Sequence, residues 1–325
     1  MFALWKRYRH IAAAAPLMLA TIATAAAQAP YPNRNITLVL PFAAGSGTDT
    51  TTRLIGKELG TALGVSTVIE NKAGANGSIA ASFVARAPAD GYTLFVTTNT
   101  THSANPYLLK TMSYDPIKDF TPIARTGDLP FMLVIHPDIP VNSVAELIAL
   151  AKKEPGKYSY ASGSSSASVS GATFARLAGI DLLHVPYKSS PPALTDVIAG
   201  RVSLMFIDVP TGLPHVNGKA LKALAVTTKK PSALLPNLPT MDNTVKGFDI
   251  TSWQGYLGPA NMPKDIVVKL NAEIRKIIER PDIQSQLAER GMEAFSGTPE
   301  EFDAFLKEQL VLWEKLIADA GIEKQ

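Results

Sequence analysis

Three short polar runs carry the residue types that can hold an anion. The first reads Pro41-Phe42-Ala43-Ala44-Gly45-Ser46-Gly47-Thr48-Asp49. Its glycines free backbone N–H groups to converge, and Thr48 or Asp49 is placed to cap a following helix. The N-terminus of that helix offers partial positive charge. The second run, Thr97-Thr98-Asn99-Thr100-Thr101-His102-Ser103, puts seven polar residues in a row, with Asn99, Thr101 and His102 as candidate contacts. The third reads Ser162-Gly163-Ser164-Ser165-Ser166-Ala167-Ser168. By composition it is a linker, but it precedes a helical pattern. The hydroxyls of Ser162, Ser164, Ser165, Ser166 and Ser168 at a helix start make an anion cradle. None of the three runs contains Lys or Arg. An acid bound there is held by oriented neutral donors.

Asp208 stands apart. It closes the apolar run Leu204-Met205-Phe206-Ile207, and an acid beside an anion site needs a reason. One is that it caps the turn at 209–212. The other is that it accepts a hydrogen bond from a ligand hydroxyl or ammonium.

Other chemistries lack their residues. Gly45-x-Gly47 with Glu70 is half of a dinucleotide fingerprint, but Thr50 replaces the third glycine. Gly163-x-Ser165-x-Ala167 lacks the second glycine of a nucleophile elbow, and no H-E-x-x-H or S-x-x-K occurs. The four histidines after residue 28 have no ligand spacing, and there are no cysteines. No cofactor, no metal and no catalytic residue are therefore expected. A serine esterase using the 162–168 run is the rival reading, and it lacks a general base at a motif-defined position.

The elements that must position these runs alternate along the chain. Strands are expected at 36–40, 65–69 and 92–97, with helices at 49–63 and 78–86 between them. This βαβαβ order with apolar strands implies a parallel sheet covered on both faces. The order repeats with strands at 131–135, 158–161, 182–185, 202–207 and 221–227. A helix is expected at 191–199 with Ser190 as its cap. Capping boxes at Ser143–Glu146 and Thr298–Glu301 open two more helices, and 266–278 is helical. Ligands in open α/β sheets bind outside the carboxyl ends of strands, which brings the polar runs to one edge.

At 325 residues the chain suits two domains, and 46% hydrophobic with 18% charged residues excludes wholesale disorder. The net charge of +3 comes from Lys6, Arg7 and Arg9; of 31 basic residues, 28 remain without them, against 28 acidic. That balance argues against nucleic-acid binding. The same three cations precede an uncharged run ending in Ala25-Ala26-Ala27. This is the pattern of a signal peptide over 1–27, cleaved before Gln28, so the mature protein is expected to be soluble and periplasmic.

From Tyr31 onward the chain resembles the periplasmic solute receptors of tripartite tricarboxylate transporters, also called Bug proteins. The stretches that carry the resemblance run in order along the chain. They are Ile36–Phe42 with Gly45 and Thr48-Asp49, Val68–Asn71 with Gly74 and Gly77, Asp90–Leu94, and Tyr114–Pro116 with Lys118–Phe120. His184–Lys188 with Pro192–Asp196, Leu204–Phe206 with Asp208, Pro214-His215 and Leu221–Thr227 follow. The resemblance implies an α/β, two-lobe periplasmic-binding-protein fold (type II-like), each lobe a sheet flanked by helices. Lobe I would take 28–129 plus 250–325 and lobe II 130–249, with crossovers near 128–131 and 248–253. It implies a non-enzymatic receptor, expected to be a monomer, that captures a di- or tricarboxylate or other organic acid for a membrane permease. A partner role for a sensor kinase would use the same binding event. One ligand carboxylate would meet the first run and the other end the serine run. Two departures are Gly45-Ser46 where a Gly-Gly pair is usual, and serines where Asn, Gly and His are frequent. An aromatic acid stays open because Phe42 and Trp253 would offer an apolar wall.

Overall fold

The computed structural model describes residues 30–325 except 234. The expected signal peptide at 1–27 lies outside the described residues. In order, the elements begin with β1 (Ile36–Leu40), α1 (Gly47–Leu63), β2 (Thr67–Asn71), α2 (Ser78–Ala85), β3 (Thr93–Thr98), α3 (Asn105–Leu108) and β4 (Phe120–Leu129). Then come β5 (Phe131–Ile135), α4 (Val144–Lys153), β6 (Ser159–Ser162), α5 (Ser165–Ala178), β7 (Leu183–Pro186), α6 (Ser190–Ile198), β8 (Leu204–Asp208), α7 (Val209–Asn217) and β9 (Lys222–Val226). The chain finishes with β10 (Ser252–Pro259), α8 (Lys264–Ile278), α9 (Pro281–Glu289), β11 (Glu293–Ala294) and α10 (Pro299–Asp319).

These strands form two sheets, ordered β11-β4-β10-β3-β1-β2 and β7-β6-β8-β5-β9. The first draws on strands from both ends of the chain and the second only on its middle. With helices flanking each sheet, this is the expected α/β architecture of two sheets. The parallel pairing expected of the first βαβαβ unit forms, but both sheets are mixed, and the repeat expected from β5 onward is corrected. β1 pairs parallel with β2 and β3, but β10 runs antiparallel between β3 and β4, and β5 runs antiparallel to β8 and β9. An apolar run signals burial on both faces, which an antiparallel strand under helices satisfies equally.

Strand and helix ends shift by one or two residues from expectation, as local pattern allows. β4 and β10 carry no such pattern and were not expected. Two caps are also corrected. Ser46, not Thr48 or Asp49, caps α1, its Oγ accepting from Asp49 N at 3.3 Å. α6 starts at Ser190, which makes Ser189 the N-cap position. The box at Thr298 forms as expected, with Thr298 and Glu301 satisfying each other's backbone N–H groups.

α10 joins the cores of both sheets. Phe302 and Leu306 pack with Trp253, Phe95 and Val39 of the first sheet. Trp313 and Ile317, further along the same helix, pack with Leu133, Phe206 and Phe248 of the second. One broad apolar face thus ties the two cores together and packs on the 100–104 segment of the second polar run.

Candidate functional site

The first polar run turns from β1 into α1. Gly45 adopts φ 81°, a left-handed conformation that favours glycine. Asp49, 2% exposed, ties the turn down. Its carboxylate accepts from Gly45 N at 3.0 Å, from Arg53 Nε and Nη2 at 2.9 and 3.0 Å, and from Asn71 Nδ2 at 3.0 Å. Burial alone would raise the Asp49 carboxyl, but these donors outweigh it and hold it below the usual range. The acid is therefore spent inside the loop. What the loop turns toward the second sheet is Phe42, Ser46, Gly47 and Thr48 at the start of α1.

The third run divides in two. Ser162 ends β6, Ser164 caps α5 by accepting from Ala167 N at 3.3 Å, and Ser165 to Ser168 form the first turn of the helix. This is a helix N-terminus rather than a linker. Three hydrogen bonds cross from the first sheet's loops to the second's. Asn99 Nδ2 donates to Ser166 Oγ at 2.8 Å, Ser165 N to Thr100 Oγ1 at 3.3 Å, and Ala43 N to Ser189 Oγ at 3.1 Å.

The second run is not a loop. Thr100–Ala104 forms a π-helical turn leading straight into α3. Its winding sends alternate side chains to different places. Asn99 and Thr100 reach the second sheet's loops, whereas His102 is fully buried against Phe95, Tyr114 and Phe120. His102 Nδ1 lies 2.6 Å from Thr97 Oγ1 and 3.1 Å from Thr101 Oγ1. Burial pushes its pKa down to about 3. Neither His102 nor Thr101 lines a cavity between the sheets. Trp253 is likewise core, edge-on to Phe302 and Phe305, so Phe42 alone remains of the apolar wall.

The central cavity between the sheets is lined by Phe42, Ser46, Gly47, Thr48, Ser164 and Asp208, among others. The space a water centre can reach there is ≈ 20 Å³, room for about one water. A second cavity of ≈ 60 Å³ shares Ser164 and continues along Ser162, Ser165, Ser168 and His184. Here Ser162 Oγ lies 2.7 Å from His184 Nε2, and the imidazole stacks on Tyr160. Burial lowers the His184 pKa, so the ring is neutral near pH 7. Among the described residues no carboxylate is hydrogen-bonded to His184, so the pair lacks the third member of a nucleophilic triad. A wider groove of ≈ 860 Å³ on the outer side of α1 holds Arg34 and Arg53, but Asp90 and Asp49 already pair them.

Among the described residues, Asp208 is the only ionisable side chain lining the central cavity. It is the N-cap of α7, with Oδ1 accepting from Thr211 N at 3.0 Å and from Thr211 Oγ1 at 2.5 Å. The expected turn at 209–212 is thus a nine-residue helix, and the capping role is real. Burial raises the Asp208 carboxyl above its ordinary value, with the Thr211 bonds opposing. Ser190 and Ser252 line the same cavity from outside the polar runs, and Thr98 and Thr100 line it from within the second run without having been singled out. Ser190 was legible as a serine ahead of two prolines after a strand. Ser252 carried no local signal.

The pattern of the tripartite tricarboxylate transporter family receptor matches residues 51–322. BugT of Bordetella pertussis is 30% identical over 309 residues, covering 92% of this chain and 95% of that protein. The solved structure of R. palustris Rpa4515 with adipate shares 36% identity at a TM-score of 0.89, covering 91% of this chain and 100% of that one. MatC from Rhodopseudomonas palustris with bound malate shares 30% identity at a TM-score of 0.83, covering 88% and 100%.

Proposed function

The chain belongs to the tripartite tricarboxylate transporter receptor family, and on that premise we propose that it captures a small organic acid between its two sheets and delivers it to the membrane subunits of a tripartite transporter. The observation that carries this reading is the central cavity. Two helix N-termini, those of α1 and α5, reach it from opposite sheets with Ser46 and Ser164 as their caps, and no Lys or Arg among the described residues lines it. Oriented amides and hydroxyls hold a carboxylate there without a counter-charge. The adipate and malate complexes of similar proteins support the ligand class.

The two lobes are residues 28–129 with 250–325, and 130–249. Their separation opens the cavity, and closure on the acid re-forms the bonds of Asn99, Thr100 and Ala43 to the facing serines. The chain bends at Pro130 and in the stretch leading to β10, while α10 stays packed on the cores of both sheets. Closure requires that the ligand interact better with the closed arrangement than with the open one. Phe42, Ser46 and Thr48 meet one end of the acid, and Ser164 with its neighbours on α5 the other.

A thermal-shift screen of mono-, di-, tri- and aromatic carboxylic acids tests the reading, with solution scattering on any hit. A stoichiometric acid that compacts the protein, with affinity weakly dependent on salt, is the expected result. Failure of every acid to bind, or steady turnover of carboxylate esters, would overturn it.

A further inference from the structure

The cleft pairs a carboxylate-binding surface with a carboxylate of its own. Asp208 belongs to the second sheet and Gly47 to the first turn of α1, yet a Cβ built on Gly47 would fall 2.1 Å from Asp208 Oδ1. The acid therefore lies against the electropositive end of α1, where an incoming carboxylate is also drawn. It is 7% exposed, and among the described residues no Lys or Arg lines the cavity to offset it. The cap of α7 uses Oδ1 for both bonds from Thr211. Capping explains an Asp at this position but not its placement across the cleft from Gly47, since any N-cap satisfies α7 from within its own lobe.

We propose that Asp208 is the specificity-determining residue of this cleft: it accepts a hydrogen bond from a hydroxyl or ammonium on the bound acid and so selects donor-bearing acids over unsubstituted ones. The inference rests on the organic-acid reading above. A ligand with such a donor turns the buried acid from a repulsive neighbour into a partner. A plain diacid leaves two carboxylates facing each other in a site that excludes water, which costs affinity. A hydrogen bond to a charged acceptor in such a site discriminates by about 10-fold or more.

The test uses acids matched in length: succinate against malate and aspartate, and adipate against 2-aminoadipate, by calorimetry on the purified protein. The expected result is tighter binding of the donor-bearing member by about 10-fold. Asp208→Asn keeps the side chain's shape and an oxygen for Thr211, and it should collapse the preference while leaving the ligand-free melting temperature nearly unchanged. Equal or tighter binding of the plain acid by the wild type overturns the inference, even if the variant fails to fold. A preference that survives Asp208→Asn overturns the assignment to this residue. Both of those outcomes leave the organic-acid reading standing, whereas binding of none of these acids nor any other removes that reading and this inference together.

Discussion

Asn99, just after β3 of the first sheet, and Ser166, in the first turn of α5 against the second, hydrogen-bond at 2.8 Å, while the other end of the Asn99 amide accepts from Ser252 Oγ. One buried side chain therefore reads whether the second sheet's α5 is seated against β3 and β10. Asn99→Ala removes both bonds and leaves two buried hydroxyls without that partner, at a cost of about 1–3 kcal/mol. The variant should scatter as a more expanded particle and bind its acid more weakly. An unchanged radius of gyration and affinity would show that the bond is incidental to closure.

Gly47, at the start of α1, lies hard against Asp208 of the other sheet. Its Cβ would meet Asp208 Oδ1 at 2.1 Å and Cγ at 2.8 Å, and Asp208 is held by its own cap and cannot easily yield. Gly47→Ala should weaken ligand binding by about 10-fold or more through blocked closure, on the scale of a 1–3 kcal/mol overpacking penalty. Adding Asp208→Ala should recover part of the compaction seen by scattering. Additive effects of the two changes would mean the contact is not what limits closure.

Asp49 links Gly45, Arg53 and Asn71 in one cluster. Its folded pKa is depressed, so its contribution to stability is present above the unfolded value of about 3.9 and is lost as pH falls through the lower folded value. Asp49→Asn should cost about 1–3 kcal/mol at pH 7 and progressively less as the pH drops below 4. It should also loosen the Gly45 turn and lower ligand affinity. Urea titrations at pH 7 and pH 3 giving the same difference between variant and wild type would contradict this.

His102 makes the protein acid-sensitive by a separate route. Its folded pKa of about 3 lies below the unfolded value of about 6.5, so the unfolded chain binds the extra proton between those limits. Stability should fall by about 1.4 kcal/mol per pH unit from this group as pH drops from 6.5 toward 3. His102→Gln removes that component whatever its stability at pH 8. Its acceptor and donor can still meet Thr97 and Thr101. Parallel pH profiles for variant and wild type would rule the mechanism out.

Much of the site was legible because helix starts are written locally. A cap and its helix lie within four residues, so the runs around Ser46 and Ser164 announce two N-termini at strand ends, and the absence of Lys and Arg there is plain from the residues themselves. Asp208 was recognisable as an acid closing a strand, with its cap three residues on. The run at 97–103 misled for the same reason. Polarity marked it as a loop at the cleft, but burial beside Phe95, Tyr114 and Phe120 outweighed polarity for His102, whose ring nitrogen found Thr97 and Thr101. Local pattern does not show that, because Phe95, Tyr114 and Phe120, though within twenty residues of His102, meet its ring only through the turn after β3 and the return of the chain into β4.

The amino-acid sequence by itself determined the α/β alternation, the neutral character of the anion-binding runs and the type of residue that ends β8. These follow from hydrogen bonds and side-chain periodicity that span a few residues. The tertiary structure decided that β10 lies antiparallel between β3 and β4, that Asn99 rather than His102 reaches the second sheet, and that Gly47 faces Asp208. Those contacts join residues far apart along the chain, and they exist only when two sheets, each closed by its own core, are brought together along one edge.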